Sequence, residues 1–543
     1  MKKSLFLYLM ILAVQTATAQ TIFENHRSEV YNYLYRMAQK GVIRFDDQIR
    51  PIPRAYIAAC LDSLSLLEAK LSSIEKQELK FYQQEYSDLK TFDGTTPDQR
   101  ILKKDRYGRW RAFSVRNKDQ LLQIDPVITA TTINGTGKSI RQTSTGLKFW
   151  GQAGKRWGYH FFFNDVNENG TGIDVKRNFT PETGIIQKDT TLTKSLNYTE
   201  LRGVISYSWN NGAVSFGNDH LLWGYGENGR VILSDKAPAF PYLRLDYRPF
   251  SWLSFNYTHA WLNSKIVDSN RLLSTGNPVF GGQRRVLIPK YFATHSVTVR
   301  PLKGLDISVG ESIVYSDRMD IGYLMPLNFF KVYDNIVNNS DIMAGSNGQL
   351  FFQISSRNHI PKTHLYGNFF IDEVRIGTLF DPVKRRNQSG YTIGASTTDL
   401  AISYLTATLE YSRITPFTYA NLIPAQNYTH HSYNMGDWMG NNADRFLMAL
   451  RYTPIPKLKT YLLYQIIRKG APGSLAQQYS QQPQPGFLFD QQFNQKEWFG
   501  SVSYEWINNL TLLGTFNRRH TRYTINNTSV KENLITLGVH FGL

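Results

Sequence analysis

The chain has 543 residues, with 61 Lys and Arg against 43 Asp and Glu, a formal net charge of +18 and one cysteine. A lone cysteine excludes an internal disulfide framework and any cysteine-built zinc or iron–sulfur site. A mean hydropathy of −0.36 excludes a polytopic helical membrane protein, and 14% aromatic residues exclude a disordered chain. What remains is a β-rich protein, and the positive balance points to an acidic partner.

Lys2 and Lys3 precede an apolar run from Leu5 to Val14 that ends in Ala17-Thr18-Ala19. That is the charged start, apolar middle and small-residue cleavage site of a secretory signal peptide, residues 1–19. Cys60 then stands alone in an oxidising compartment and reads as a small buried hydrophobe. Residues 20–95 read as a small helical domain. Val30, Leu34 and Met37 share one helix face with Gly41 as its stop, and Ile57, Leu61, Leu64, Leu67 and Leu71 form a second stripe after Pro51–Pro53. Ser72 and Glu75 have the spacing of a capping box ahead of Leu79, Tyr82, Tyr86 and Leu89. The turn-rich Phe92–Pro97 stretch opens a linker, taken as residues 96–120.

From residue 121 to 543 the period is two. Trp157, Tyr159, Phe161 and Phe163 alternate with small or polar residues, as do Leu253, Phe255, Tyr257, His259 and Trp261. The same pattern returns at Leu305–Val309, Leu365–Ile371, Phe446–Tyr452, Leu458–Ile466, Trp498–Trp506 and Leu510–Phe516. Soluble sandwiches alternate too. Three features favour a membrane barrel: aromatic residues at segment ends, small or polar residues on the opposite face, and a last segment Ile535, Leu537, Val539, Phe541, Leu543 suited to closing a barrel. The fold class is therefore an all-β transmembrane barrel with an N-terminal α-helical plug domain. About 420 residues at roughly 20–24 per strand and loop give about 16–20 antiparallel strands.

Few motifs suggest chemistry. Gly224-Tyr-Gly226-Glu-Asn-Gly229 fits a dinucleotide fingerprint, but Arg230–Pro238 is too short for the helix that must follow, so it reads as a tight glycine turn. His430 and Ser432, on a strand, would share a face and could form a nucleophile–base pair, yet no third member or oxyanion element accompanies them. No metal or cofactor motif is present, and nothing argues for an enzyme. The basic clusters Arg284-Arg285, Lys384-Arg385-Arg386 and Arg518-Arg519, if they face the lumen or the external mouth, could hold an acidic glycan through charge-assisted bonds, and lysines and arginines in loops could meet lipopolysaccharide. Nucleic acid is not an expected partner.

The stretch Phe216-Gly217 through Trp223-Gly224-Tyr225-Gly226, Gly229-Arg230, Ser234, Pro238 and Pro241 resembles the central motif of the Wzi-like capsule-assembly family. His364–Asp372, Leu409–Tyr419 with Asn427–His430, and Tyr33–Gly41 with Arg50-Pro51 resemble further family segments, in the family's order. Tyr225 stands where the turn commonly carries proline. The resemblance implies an 18-stranded barrel in the outer membrane of a Gram-negative bacterium, closed at its periplasmic end by the helical domain. It also implies non-catalytic, lectin-like attachment of surface polysaccharide by a monomer without cofactors. The glycan-contact candidates are Trp223, Tyr225, Arg230, Arg284, Arg285, Lys384, Arg385 and Arg386. Gly217, Gly224, Gly226, Gly229, Ser234, Pro238 and Pro241 are structural candidates. The Trp223–Ser234 segment has a second reading, favoured here, as an infolded loop whose role is packing. Barrels resembling this family also occur in gliding machinery, so a motility or adhesion role and a porin-like channel stand as alternatives.

Overall fold

The computed structural model describes residues 21–87, 97–187, 194–276, 279, 281–338, 345–374, 376–378, 380–381, 383–384 and 386–543. The expected signal peptide, Leu89 and Arg385 lie outside the described residues. Three helices open the described chain: α1 (Val30–Gln39), α2 (Arg54–Leu66) and α3 (Ser73–Tyr86). Gly41, at φ 68°, ends α1. Its N–H bonds the Ala38 carbonyl and the Val42 N–H bonds the Met37 carbonyl, the paired closure of a glycine-terminated helix. At α3, Ser72 Oγ accepts from the Glu75 N–H at 3.3 Å and Glu75 Oε2 accepts from the Ser72 N–H at 2.9 Å, completing the box expected from sequence. The three apolar faces form one core around Leu34, Met37, Ile57, Leu61, Leu64, Leu79 and Tyr82. Cys60 belongs to that core, and burial pushes its thiol up to about 12.

The remainder is a closed antiparallel barrel of eighteen strands. In chain order these are β1 (Gln120–Gly135), β2 (Lys138–Ala153), β3 (Trp157–Thr171), β4 (Ser195–Trp209), β5 (Gly212–Asp219) and β6 (Phe240–Phe250). Then come β7 (Leu253–Ser274), β8 (Gln283–Leu302), β9 (Leu305–Ser316), β10 (Asn347–Arg357), β11 (Thr363–Val374) and β12 (Asn387–Thr398). The last six are β13 (Leu405–Ile414), β14 (Ala443–Ile455), β15 (Leu458–Lys469), β16 (Phe493–Ile507), β17 (Leu510–Tyr523) and β18 (Ser529–Phe541). β18 closes onto β1 in register from Leu534 opposite Gly135 to Phe541 opposite Ile128, which leaves no edge at the seam. Alternate residues such as Phe446, Met448 and Leu450, or Ile535, Leu537 and Val539, form an exposed apolar belt. Their neighbours Arg445, Leu447 and Ala449 are buried inside. This is the two-faced strand of a transmembrane barrel.

The described part of the expected 96–120 linker, residues 97–120, is structured. It carries a hairpin, Asp98–Lys104 paired with Trp110–Arg116, whose second strand pairs with the start of β1. The pattern was hidden because the buried face is charged: Arg111 is fully buried and bonds Asp105, Asp125 and Glu85 at 3.2, 2.8 and 2.9 Å. Hydropathy alternation does not register a strand whose inner face is satisfied by ion pairs.

The two barrel ends differ. The turns at one end are short, such as Asn508–Asn509 between β16 and β17, and the helical domain sits there. Tyr404 donates to Ser72 at 3.0 Å, Lys459 pairs with Glu78 at 3.0 Å, and Arg109 pairs with Glu505 at 2.9 Å. Long connections leave from the other end. Two of them, 220–239 and 415–442, turn back into the lumen and meet the N-terminal segment, where Trp223 pairs with Ile49 across a two-residue ladder. Phe23, Trp223, Leu233, Tyr419, Tyr428 and Met435 join wall residues such as Phe292, Phe351 and Phe370 in an apolar core inside the barrel.

Candidate functional site

The infolded segment 220–239 is shaped by its glycines. Gly229 has φ 136°, and a Cβ there would lie 2.5 Å from Asp437 Oδ2. A Cβ on Gly226 would meet the Gly229 carbonyl oxygen at 1.8 Å. The chain therefore closes on itself as only glycine allows, and no helix follows it, which matches the tight-turn reading rather than a dinucleotide fold. A Cβ on Gly217 of β5 would lie 2.2 Å from the Gly203 carbonyl oxygen of β4. Pro238 is buried, and Pro241 faces outward at the start of β6.

The wall and the second infolded loop hold this turn. Asn368 of β11 accepts from the Tyr225 N–H at 3.0 Å and donates to the Tyr225 carbonyl at 2.8 Å. The Ser234 N–H bonds the Met435 carbonyl at 2.7 Å, and Ser234 Oγ donates to the Gly436 carbonyl at 2.6 Å. Tyr419 and Tyr428 donate to the carbonyls of Val231 and Ile232 at 2.6 and 2.8 Å. Trp438 Nε1 donates to the Asn228 carbonyl at 2.7 Å. Asp437 is fixed by Arg445 at 3.0 Å. The sequence segments 364–372, 409–419 and 427–430, far apart in the chain, thus converge on the glycine turn. Asn368 and Asp437 were not singled out by sequence reasoning; Asn368 at least lies inside a segment already matched to family pattern.

Trp223 and Tyr225 are packed into this plug, 2% and 6% exposed. Tyr225 lies edge-on to His364 with ring centroids 4.9 Å apart. Arg230 has a different setting. It lines a cavity of about 340 Å³ between α1, the glycine turn and β13–β15. Its Nε donates to the Gly224 carbonyl at 2.8 Å, and among the described residues it makes no ion pair. The other cations of the cavity are mostly paired: Arg27 with Asp235 at 2.8 Å, Arg50 with Asp47 at 3.2 Å, Arg451 with Glu227 at 2.5 Å. Burial, with Arg50 adding repulsion, pulls the Arg230 guanidinium down to about 10, so it stays charged at neutral pH.

Arg284 and Arg285 lie near the tip of the β7–β8 hairpin, opposite Leu273 and Leu272. β7 has 22 residues and β8 has 20, where about 9–11 suffice to cross a bilayer, so the hairpin projects well past the long-loop end. Both arginines are exposed, and among the described residues neither makes an ion pair. Lys265 and Arg271 are exposed on the same hairpin. Lys384 is exposed in the β11–β12 loop, where its N–H bonds Asp381 at 2.9 Å. Arg386 is engaged: it donates to the Tyr479 carbonyl, stacks over the Tyr479 ring at 5.2 Å and faces Glu373 at 3.8 Å. It braces one long loop against another. The seven described glycan candidates thus fall into a buried pair, a cavity arginine and cations of the long-loop end, not one patch; Arg385 lies outside the described residues.

The His430–Ser432 pair does not exist as expected. His430 pairs with Tyr433, and His431 and Ser432 form the intervening two-residue turn with φ 50° and 68°. Only His430 is on a strand, so the shared-face argument fails. His430 Nδ1 accepts the Asn263 N–H at 3.0 Å, and its ring lies 5.7 Å from Phe240. It is a packed histidine that ties the infolded loop to β7. Among the described residues no group of His, Cys, Asp and Glu is arranged to hold a metal ion.

Comparison with known proteins agrees with this architecture. A solved Escherichia coli structure, Wzi, described as an outer membrane protein involved in group 1 capsule assembly and a carbohydrate-binding β-barrel, superposes with a TM-score of 0.60. It shares 13% identity, over 97% of this chain and 100% of that one. Acinetobacter baumannii OccAB2 (9% identity, 77% of this chain, 98% of that chain) and Pseudomonas aeruginosa OccK3 (13%, 77% and 94%) give TM-scores of 0.44 and 0.41. No curated protein matches the chain. The family model described as capsule assembly protein Wzi matches residues 187–521, which include the glycine turn, both infolded loops and the projecting hairpin. The chain belongs to the capsule assembly protein Wzi family.

Proposed function

We propose that this protein sits in the outer membrane of a Gram-negative cell, with its helical end toward the periplasm, and holds an acidic polysaccharide at the surface by non-catalytic, lectin-like contacts. Family membership supports the role in capsule assembly. The description of the similar E. coli barrel as carbohydrate-binding supports the mode of action. The short turns and docked helices at one end support the orientation, because long loops face outward in such barrels.

The observation that carries the reading is the pair of unpaired guanidiniums, Arg284 and Arg285, on a hairpin that reaches beyond the barrel. Exposed arginines free of internal carboxylates can bind sugar carboxylates or phosphates bidentately. Lys384 adds a second external cation, and Arg230 supplies a positive charge in the cavity. Trp223 and Tyr225 serve the plug rather than the glycan in this reading, and Arg386 positions loops. Lipopolysaccharide offers the same anionic chemistry, and a single closed barrel needs no second copy.

Deletion of the gene in its host tests the proposal. Cell-attached polysaccharide is expected to fall and shed polysaccharide to rise. Wild-type protein should restore retention, and the Arg284→Ala/Arg285→Ala variant should restore it only in part. Polysaccharide that stays fully attached in the deletion strain contradicts the proposal.

A further inference from the structure

One row of outward-facing positions crosses six strands in register: Val214 of β5, Leu245 of β6, Tyr257 of β7, His295 of β8, Glu311 of β9 and Leu350 of β10. Val214 and Leu350, at the two ends, are exposed members of the apolar belt. So are Val297 and Val309, paired with each other two residues further along β8 and β9. Within this surface His295 Nε2 and Glu311 Oε1 lie 3.2 Å apart. An ionisable pair on the lipid side of a spanning strand is costly unless something covers it.

The connection between β9 and β10 covers it. This segment carries a short helix, α4 (Phe330–Asn338). Glu311 Oε1 accepts the Phe330 N–H at 2.6 Å, so the wall carboxylate caps the helix. The Phe330 ring is fully buried, with its centroid 4.5 Å from that of His295. Tyr257 donates to the Tyr323 carbonyl at 2.9 Å, Tyr323 donates to Asp334 at 3.0 Å, and the Tyr315 and Tyr323 rings lie 4.5 Å apart. These partners are all on the outward face of β7–β9, so the segment lies against the outside of the barrel and not over its mouth.

The other side of the segment is apolar. Ile321, Met325, Leu327, Phe329, Val332 and Ile336 are exposed, Leu327 by 82% and Phe329 by 71%. A row of this kind on a water-facing loop would be a liability. It is continuous with the belt residues Val297, Val309 and Leu350. We propose that residues 317–338 form a strap seated in the bilayer, which hides the His295–Glu311 pair and presents its own apolar side to lipid acyl chains. Arg318 and Lys331, exposed cations of the segment, have stems long enough to reach headgroups. The proposal rests on the transmembrane reading of the barrel.

Spin labels test it. Cys60 is the only cysteine, so a Cys60→Ser background accepts single labels at Leu327→Cys or Ile336→Cys, both exposed and free of packing duties. Leu537→Cys on the belt and Ser474→Cys in an external loop are the controls. In vesicles of phosphatidylcholine and phosphatidylglycerol, collision with oxygen is compared with collision with a water-soluble nickel chelate. The strap labels are expected to match Leu537, with oxygen-to-nickel ratios several-fold above Ser474. Ratios like those of Ser474 overturn the proposal, as does dipolar broadening that shows a second copy on this face. Nickel access at Leu537 itself overturns the transmembrane reading, and the strap with it.

Discussion

Gly229 shows how little freedom the infolded turn has. Its φ is positive and its missing Cβ is the space taken by Asp437, itself held by Arg445. Gly229→Ala must strain the backbone and displace a buried ion pair, and is expected to cost about 2–3 kcal/mol. Thermal unfolding in detergent reads that loss; an unchanged melting temperature would show that the turn relaxes freely. The glycines were legible in sequence because glycine spacing reports on local backbone shape. Their partners were not, because Asn368 lies 143 residues from Tyr225 and no local pattern encodes that pairing. Trp223 carried two readings, glycan contact and packing, for a related reason. An aromatic beside glycines looks the same whether it stacks on a sugar or on Phe351, whose ring centroid is 6.0 Å away, and only the tertiary fold decides.

At the scale of elements, sequence served well where burial and hydropathy coincide. The capping box of α3, the Gly41 stop of α1 and the alternation of β3, β14 and β18 all appear where expected. It failed where charge is buried. The 98–116 hairpin was read as a linker because its inner face carries Arg111 and Arg116. Glu85 of α3 shows why such a face is stable. Burial alone would raise its carboxyl, but Arg111, Arg109 and Arg54 overcome that and hold it well below the usual carboxylate range. Glu85→Gln leaves those cations short of a partner and is expected to cost about 3 kcal/mol. The loss should appear as faster proteolytic release of the helical domain from the barrel.

The infolded loops make a separate pH prediction. Burial lowers His220 to about 3 and also lowers His26 and His430, the last well below 6.5. Each imidazole takes up a proton less readily in the folded protein than once released, where its ordinary value is 6.5. Bound protons therefore favour the opened loops, and their stability falls as pH drops from about 6.5 toward 3. Amides of residues 222–234, corrected for intrinsic exchange, should lose protection between pH 6.5 and 4. Equal protection across that range would mean that the histidines stay buried and unprotonated without cost.

The whole molecule reconciles a hydrophilic average with a membrane fold. Only alternate strand residues face lipid, while the lumen holds ion pairs, an apolar plug and a polar cavity. Length alone bounded the strand count near the eighteen observed, and the last apolar alternation marked the closing strand. Infolding of 220–239 was suggested by its glycines, prolines and tryptophan, but that of 415–442 was not readable, because loops that fill a lumen have no periodicity to report. The surplus of positive charge has its freest expression at the projecting β7–β8 hairpin, and the account stands on what that hairpin binds. Titration of the purified protein with an acidic polysaccharide, against a neutral one, tests this most directly. The acidic polymer is expected to bind more weakly as salt rises, and Arg284→Ala/Arg285→Ala should weaken it about tenfold through lost charge-assisted bonds. Equal affinity for the neutral polymer, or binding untouched by the double substitution, would contradict the account.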